Sequence, residues 1–472
     1  MPLLGSRGAA SVTGFGGLAK LGYLLRNSLR FRASNNAKLT RTPGSASNRK
    51  TYTISAWVKL GLESDSAIRT IFCAGDSSTS TSTHLYIYAS QIRFYFGGAG
   101  GPEWRATQLL RDPAAWYHIV AAVDTNQGTL DDKLKLYING TRVTSWVSQN
   151  SIGVIDTQIN NTVAHALGSN AAANQYLFDG YMTEFNFIDG QQLTPSSFAK
   201  TDAVTGQWIP IKYGSTYGTN GFYLNFNDNS AATAAAIGKD SSGNGNNYTP
   251  SGISVTSGVT YDSMTDVPTL TNATTANYAT INAVDYNSTY LTLNDGNLHQ
   301  TYAGVSAAAA SRATMAIPTT GKFYWEVYIN ATGGGSGERI RVGITRPTTD
   351  ISGNSIDGAG TSYLQMSNGQ KRNNSTDSTY GSGFSAGQYI QVLYDATAGA
   401  IYFGQNNNFA NGSGSFNQTF SSATAAFGSL SGEFMPCFIT YGGADIAVNF
   451  GQQPFAYTPP SGFNRLNTFN LS

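Results

Sequence analysis

Apolar and polar residues alternate in short runs along most of the chain, which is the period-two pattern of half-buried β-strands. In YTISAWVKL, Tyr52, Ile54, Ala56 and Val58 fall on one face, and in LKLYING, Leu134, Leu136 and Ile138 do the same. Asn139-Gly140 ends that second run with a strong hairpin signal, because both residues accept positive φ. IRTIFCAG, LYIYASQIRFYF and WYHIVAAVD read the same way. Together these runs predict an antiparallel sandwich from residue 27 onward. From about 201 the periodicity weakens, in stretches such as KDSSGNGNNYTPSG and YDSMTDVPTLTN, and GFYLNF is expected to complete the first sandwich. Strand grammar returns in KFYWEVYI, IRVGIT, YIQVLYD, AIYFG, MPCFITYG and DIAVNFG, ending in the Pro-marked QQPFAYTPPSGF. The expected fold is therefore all-β. It has two antiparallel β-sandwich domains, residues 27–290 with a connecting segment from about 201, and residues 291–472. Long helices, solenoid repeats and coiled-coil heptads are not expected.

Residues 1–26 are rich in Gly and small residues, with Phe15, Leu18, Leu21 and Tyr23 scattered among them. Such a segment cannot build a core alone. It reads as a docking peptide that orders against a partner, or more plainly as a frayed terminus.

Composition narrows the class. Charged residues make up 12% of the chain, about half the usual share, while 53 Gly and many Ser, Thr and Asn supply an uncharged polar surface. The net charge of +1 and the lack of a dense Lys/Arg stripe argue against nucleic acid as a partner. The nearest basic cluster, Arg26, Arg30, Arg32 and Lys38, reads either as a solvated strand edge or as an anion site. Cys73 and Cys437 lie in apolar runs of different expected domains, so no disulfide framework is expected. Buried free thiols fit folding in a reducing cytoplasm. No signal peptide is evident, and no stretch approaches the roughly 18 apolar residues of a membrane span, so membrane insertion is not expected.

Two families are recognisable in these residues. The segment carrying NSLRF, NRKTYTISAWVKL, WYHIVAAVD, LKLYINGTRV and FDGYMTEFNFIDGQQLTP resembles a laminin-G-like, concanavalin A-like jelly roll. The segment carrying GKFYWEVYI, RVGIT, YDATAGAIYFG, MPCFITYG, VNFGQQPF and YTPPSGFNRLN resembles a SPRY domain. The two together, with MPLLGSRGAASVTGFGG at the start and WIPIKYGSTYGTNGFYLNF before DSSGNGNN, are similar to a group of virion proteins of tailed phages. This resemblance implies a structural or adhesin role at the virion surface, with the protein made in the host cytoplasm. Phe15, Leu18, Leu21 and Tyr23 would then dock the chain onto other virion proteins. It also implies a homo-oligomer, a trimer being frequent among such fibres.

Candidate chemistry favours binding. Glycoside hydrolysis needs two carboxylates flanking one bond, and no such pair is legible. Glu184 and Glu326 are single acids in apolar strands, expected to be hydrogen-bonded in the core, and Glu103 and Glu338 border Gly-rich loops and are expected to be solvated. His84, His118, His165 and His299 lack the paired spacing of a zinc site, and His118 is expected to be a satisfied core histidine. GGAGGPE and GGGSGE lack the strand-before, helix-after setting of a phosphate loop. No cofactor is required, although laminin-G-like modules often carry calcium. Asp228, or the Asp240-Ser241-Ser242-Gly243-Asn244 run, offers oxygen ligands for it, and turn chemistry explains the same residues. Trp104, Tyr363, Tyr380 and Phe384 are the candidate ligand-binding aromatics, on the assumption that they stand on end loops where rings stack on sugars; edge packing is the alternative. The leading expectation is a non-enzymatic fibre or spike that binds a host-surface glycan or protein. A capsid decoration or cement protein with structural contacts only is the runner-up, and a polysaccharide depolymerase the third reading.

Overall fold

A computed structural model describes residues 23–61, 67–76, 81–97, 101–171, 173–304, 307–334, 339–351 and 361–471. Phe15, Leu18, Leu21 and Glu338 lie outside the described residues. The chain folds into two antiparallel sandwiches with almost no helix, as the alternation predicts. In the first, one sheet runs Thr141–Arg142, Leu134–Ile138, Trp116–Asp124, Thr51–Leu60, Gly180–Asp189, Ser28–Phe31, Ser263–Met264, with Phe222–Leu224 also on Gly180–Asp189. The facing sheet runs Trp146–Gln149, Glu103–Leu109, Gln91–Tyr95, Thr81–Tyr88, Arg69–Asp76, His165–Leu167, Lys38–Arg41, Thr249–Ser251. Tyr52, Ile54, Ala56 and Val58 point between the sheets with Leu134, Leu136 and Ile138. The hairpin turn forms as expected, with Asn139 at φ 49° and Gly140 at φ 80°. A β-carbon at Gly140 would also meet the Trp208 ring at 2.9 Å.

In the second sandwich one sheet runs Ile281–Tyr286, Ala309–Ala313, Met435–Thr440, Ile340–Thr345, Ser362–Met366, Gln370–Asn373, Thr376–Thr379. The other runs Leu291–Asn294, His299–Tyr302, Ala444–Asn449, Lys322–Thr332, Tyr389–Asp395, Ala400–Gln405, Asn408–Ala410, Phe416–Gln418. The pairing of Ile281–Tyr286 means that this sandwich takes in residues ahead of 291.

The sandwiches are joined through side chains that alternation alone would assign to solvent. Thr51–Leu60 is buried on both faces: its outer-face Trp57 shares an apolar cluster with Trp116, Tyr181, Tyr278 and Trp325. Beside them the buried Lys59 Nζ donates to Asp266 Oδ2, Asn277 Oδ1 and the Tyr278 carbonyl, each at 2.8 Å. Trp116 Nε1 donates to the same Asp266 at 3.0 Å. Arg30 and Arg32 converge on the buried Asp262, at 3.0 and 2.8 Å. These two arginines are therefore neither a solvated edge nor an anion site; Asp262 uses both charges internally. Cys73 and Cys437 are free and buried, and burial pushes the Cys73 thiol up to about 12.

Candidate functional site

A cleft lies where the first sandwich meets the outer face of the second. Along Lys322–Thr332, Phe323, Trp325, Val327 and Ile329 enter the core, so Tyr324, Glu326, Tyr328 and Asn330 project from the other face. Strand register then aligns four residues from four strands. His299 lies opposite Ala447, Ala447 opposite Tyr328, and Tyr328 opposite Tyr389. The Tyr328 and Tyr389 rings are 4.7 Å apart, and Tyr457 meets Tyr389 edge-on at 5.9 Å. All three tyrosines remain partly exposed.

Residues 257–260 form the opposing wall, held by the first sandwich. Arg30 Nη2 donates to the carbonyls of Val259 and Tyr261 at 2.9 and 3.0 Å, so its guanidinium both neutralises Asp262 and fixes this segment. The space has a cavity of about 320 Å³ bordered by Arg30, Asp295, His299, Asn330, Asp445 and Gln453. A smaller one, about 110 Å³, is bordered by Glu326, Tyr328, Tyr389 and Asn449. Val259, Ala447, Val448 and Gln453 line both, so the two are continuous.

Charge is ordered around His299. Its Nε2 lies 2.5 Å from Asp445 Oδ1 and its Nδ1 3.6 Å from Asp295 Oδ2. Burial disfavours its charged form, but the hydrogen bonds and charges of the two aspartates outweigh burial and raise it to about 9. Against the same burial cost, His299 and Arg30 hold Asp295 down at about 2, and His299 lowers Asp445. Asn330 Nδ2 also donates to Asp445 Oδ1 at 2.9 Å. A protonated imidazole between two carboxylates has no lone pair with which to act as a base. Glu326 is raised by burial, yet it accepts from the Tyr324 hydroxyl at 2.7 Å and from the backbone N–H of Ala456 and Tyr457 at 2.8 and 2.9 Å. That carboxylate ties the 454–457 segment down over the sheet.

Comparison with known proteins matches this architecture. Residues 32–196 match a laminin G family described as the concanavalin A-like lectin/glucanases superfamily, and residues 322–453 match the SPRY domain family. The chain carries a concanavalin A-like domain followed by a SPRY domain. Among solved structures, the SPRY domain of human HERC1 is 22% identical, covering 34% of this chain and 91% of its own, with a TM-score of 0.27. A heptameric SAP-like pentraxin from Limulus polyphemus is 13% identical, with 40% and 93% covered and a TM-score of 0.29. The CBM40 of a Ruminococcus gnavus IT-sialidase, bound to alpha2,3 sialyllactose, is 14% identical, with 34% and 86% covered and a TM-score of 0.24. No curated protein sequence matches the chain. Both domains have binding-type folds, which fit a carbohydrate- or protein-binding role.

The aromatic residues expected to bind ligand are largely elsewhere. In the concanavalin A-like domain Trp104 is fully buried, donates from Nε1 to the Asn150 carbonyl at 2.9 Å and packs on Phe96 and Trp146. In the SPRY domain Tyr380 and Phe384 are core residues, the Tyr380 hydroxyl donating to the Thr424 carbonyl at 2.7 Å. None of these three presents a ring face to a ligand; nearby glycines in the sequence suggested loop tips, but their apolar area is spent inside. Tyr363 is partly exposed and packs against Phe427 and Phe434. The structure does not bring the four together. Tyr23 is also inward-facing: its hydroxyl contacts Glu184 at 3.2 Å and also meets Tyr223.

The acids and histidines fit the structural expectations better. Glu184 accepts from Tyr223 at 2.6 Å, and burial raises it to about 7. Glu103 is not simply solvated, since it pairs with Arg93 at 3.6 Å and bonds the Tyr86 hydroxyl. His118 is buried, stacks on Trp57 at 4.9 Å and contacts Ser55 Oγ and Trp208 Nε1. For calcium the geometry is unfavourable. Asp240 accepts from Tyr223 N and Ser242 N on one oxygen and from Ser242 Oγ and Asn246 N on the other, at 2.8 to 2.9 Å. These four bonds occupy its lone pairs. Asp228 sits in an exposed turn bonded to Ser230. Among the described residues, no three His, Cys, Asp or Glu side chains cluster for a metal.

Sequence reasoning missed the His299, Tyr328, Tyr389 and Asp445 set. Each residue reads as an ordinary outward position in its own strand, and only sheet register unites them. The repeated aromatic in FYWEVYI and the aspartate in GADIAVNFG were the available signals.

Proposed function

We propose that this protein is a non-enzymatic receptor-binding protein of a tailed-phage virion, a fibre or spike that binds a host-surface glycan or protein through the cleft between its two domains. The observation that carries the reading is the cross-strand row of His299, Ala447, Tyr328 and Tyr389. It sets polar and aromatic groups around an open floor, as small-ligand and peptide sites do. The lectin-like and SPRY folds support it, and the chemistry of the cleft supports binding over bond cleavage: His299 is engaged as a cation, and Glu326 is engaged by three donors. The phage assignment rests on the resemblance of the N-terminal and linking segments. With it comes the proposal that the N-terminal segment ahead of the inward-facing Tyr23, residues 1–22, attaches to other virion proteins and that the chain self-associates.

The test is attachment of the purified full chain and of a variant lacking residues 1–22 to a panel of intact bacterial cells. Saturable attachment by both supports the reading. No attachment by either, together with loss of the truncated form from particles, would favour a decoration protein.

A further inference from the structure

Resting on the reading of this cleft as the ligand site, we infer that it holds one pyranose ring of a neutral or amino-bearing saccharide, laid over Ala447 between His299 and Tyr328. Three features point there. The first is shape. His299 and Tyr328 are next-but-one neighbours across the sheet, about 9–10 Å apart at backbone level, and the intervening side chain is a single methyl group. The resulting slot opens into the cavity of about 320 Å³, at the small end of ligand sites.

The second is the side wall. Tyr328 is partly exposed and leans on Tyr389, which limits its motion and leaves aromatic surface for the C–H face of a sugar ring. The third is the bias of the polar groups toward accepting. Asp295 and Asp445 border the cavity as carboxylates. Gln453, 5% exposed, borders both parts of the cleft, and its Oε1 has no hydrogen-bond partner. A buried amide oxygen left unpaired is costly, and a donor brought into the cleft removes that cost. Vicinal hydroxyls or a sugar ammonium supply such donors.

Charge sets the selectivity. Arg30 is engaged by Asp262, which it shares with Arg32, and also faces Asp295, while His299 lies between Asp295 and Asp445, so each cation bordering the cavity is already paired with carboxylates. An acidic sugar would add an anion beside Asp295 and Asp445 and find no unengaged cation bordering the cavity to receive it.

The experiment titrates the full chain with glucose, galactose, mannose, glucosamine, glucuronic acid and N-acetylneuraminic acid, followed by saturation-transfer NMR and calorimetry. We expect saturable binding of at least one neutral or amino hexose, with both acidic sugars at least about tenfold weaker. Tyr328→Ala should weaken binding about tenfold and Ala447→Leu, which fills the floor, should abolish it. Both changes lie on the outer face, and unchanged melting curves would verify folding; if Ala447→Leu does not fold, Tyr328→Ala carries the test. The inference is overturned if no sugar binds saturably, if the acidic sugars bind as well as the neutral ones, or if neither variant changes binding. If Ala447→Leu blocks attachment to cells while every sugar fails, the saccharide assignment falls and the cleft remains the receptor site.

Discussion

Lys59 and Asp266 form an ion pair at 2.8 Å in which neither side chain is exposed, and it ties the outer face of the first sandwich to the segment that enters the second. A charge taken out of water is tolerated only when its partners are in place. Lys59→Met would leave Asp266 buried without its cation, and we expect a loss of about 3–5 kcal/mol in denaturant unfolding. A loss below about 1 kcal/mol would show that the junction admits water.

His299 makes stability fall with rising pH. Its pKa is raised from 6.5 to about 9 in the folded state, so its contribution is complete below about 6.5 and is lost as pH rises through about 9. Relative to His299→Gln, the wild-type chain should lose about 3 kcal/mol between those limits, measured by unfolding at fixed ionic strength. Parallel curves for the two proteins would contradict the pairing.

Trp104→Ala should act on the core and not on a ligand. It removes a fully buried indole from the first sandwich and should cost about 3–5 kcal/mol. Attachment to cells by whatever fraction stays folded should be unchanged. Selective loss of attachment with normal stability would return Trp104 to the binding surface.

Asp240 organises a turn with four accepted hydrogen bonds. Asp240→Ala should cost about 1–3 kcal/mol by unpairing buried donors. A chelator should leave the melting temperature of the wild-type chain unchanged, and a drop of several degrees would reveal a bound cation.

Fold was legible to the extent that it depends on local periodicity. Tyr52, Ile54, Ala56 and Val58 face the core because side chains alternate along a strand, and Asn139-Gly140 turns because its backbone tolerates positive φ. What lay beyond reach was the other face of the same strands. Trp57 and Lys59 occupy positions that a single sandwich would give to solvent, and they are buried at the junction, Lys59 by Asp266, Asn277 and Tyr278 and Trp57 in a cluster that includes Trp116, Tyr181, Tyr278 and Trp325. The candidate binding residues were misplaced for a related reason. Trp104 and Tyr380 stand near glycine-rich text yet pack inward, whereas His299, Tyr328, Tyr389 and Ala447 become neighbours only when four strands align.

The most direct test of the account compares attachment of the full-length wild-type chain and of Tyr328→Ala and Ala447→Leu to intact bacterial cells. The account predicts saturable attachment by the wild type, weakened about tenfold by Tyr328→Ala and lost in a folded Ala447→Leu. Wild-type attachment that both folded variants retain in full would contradict a binding site at the domain junction.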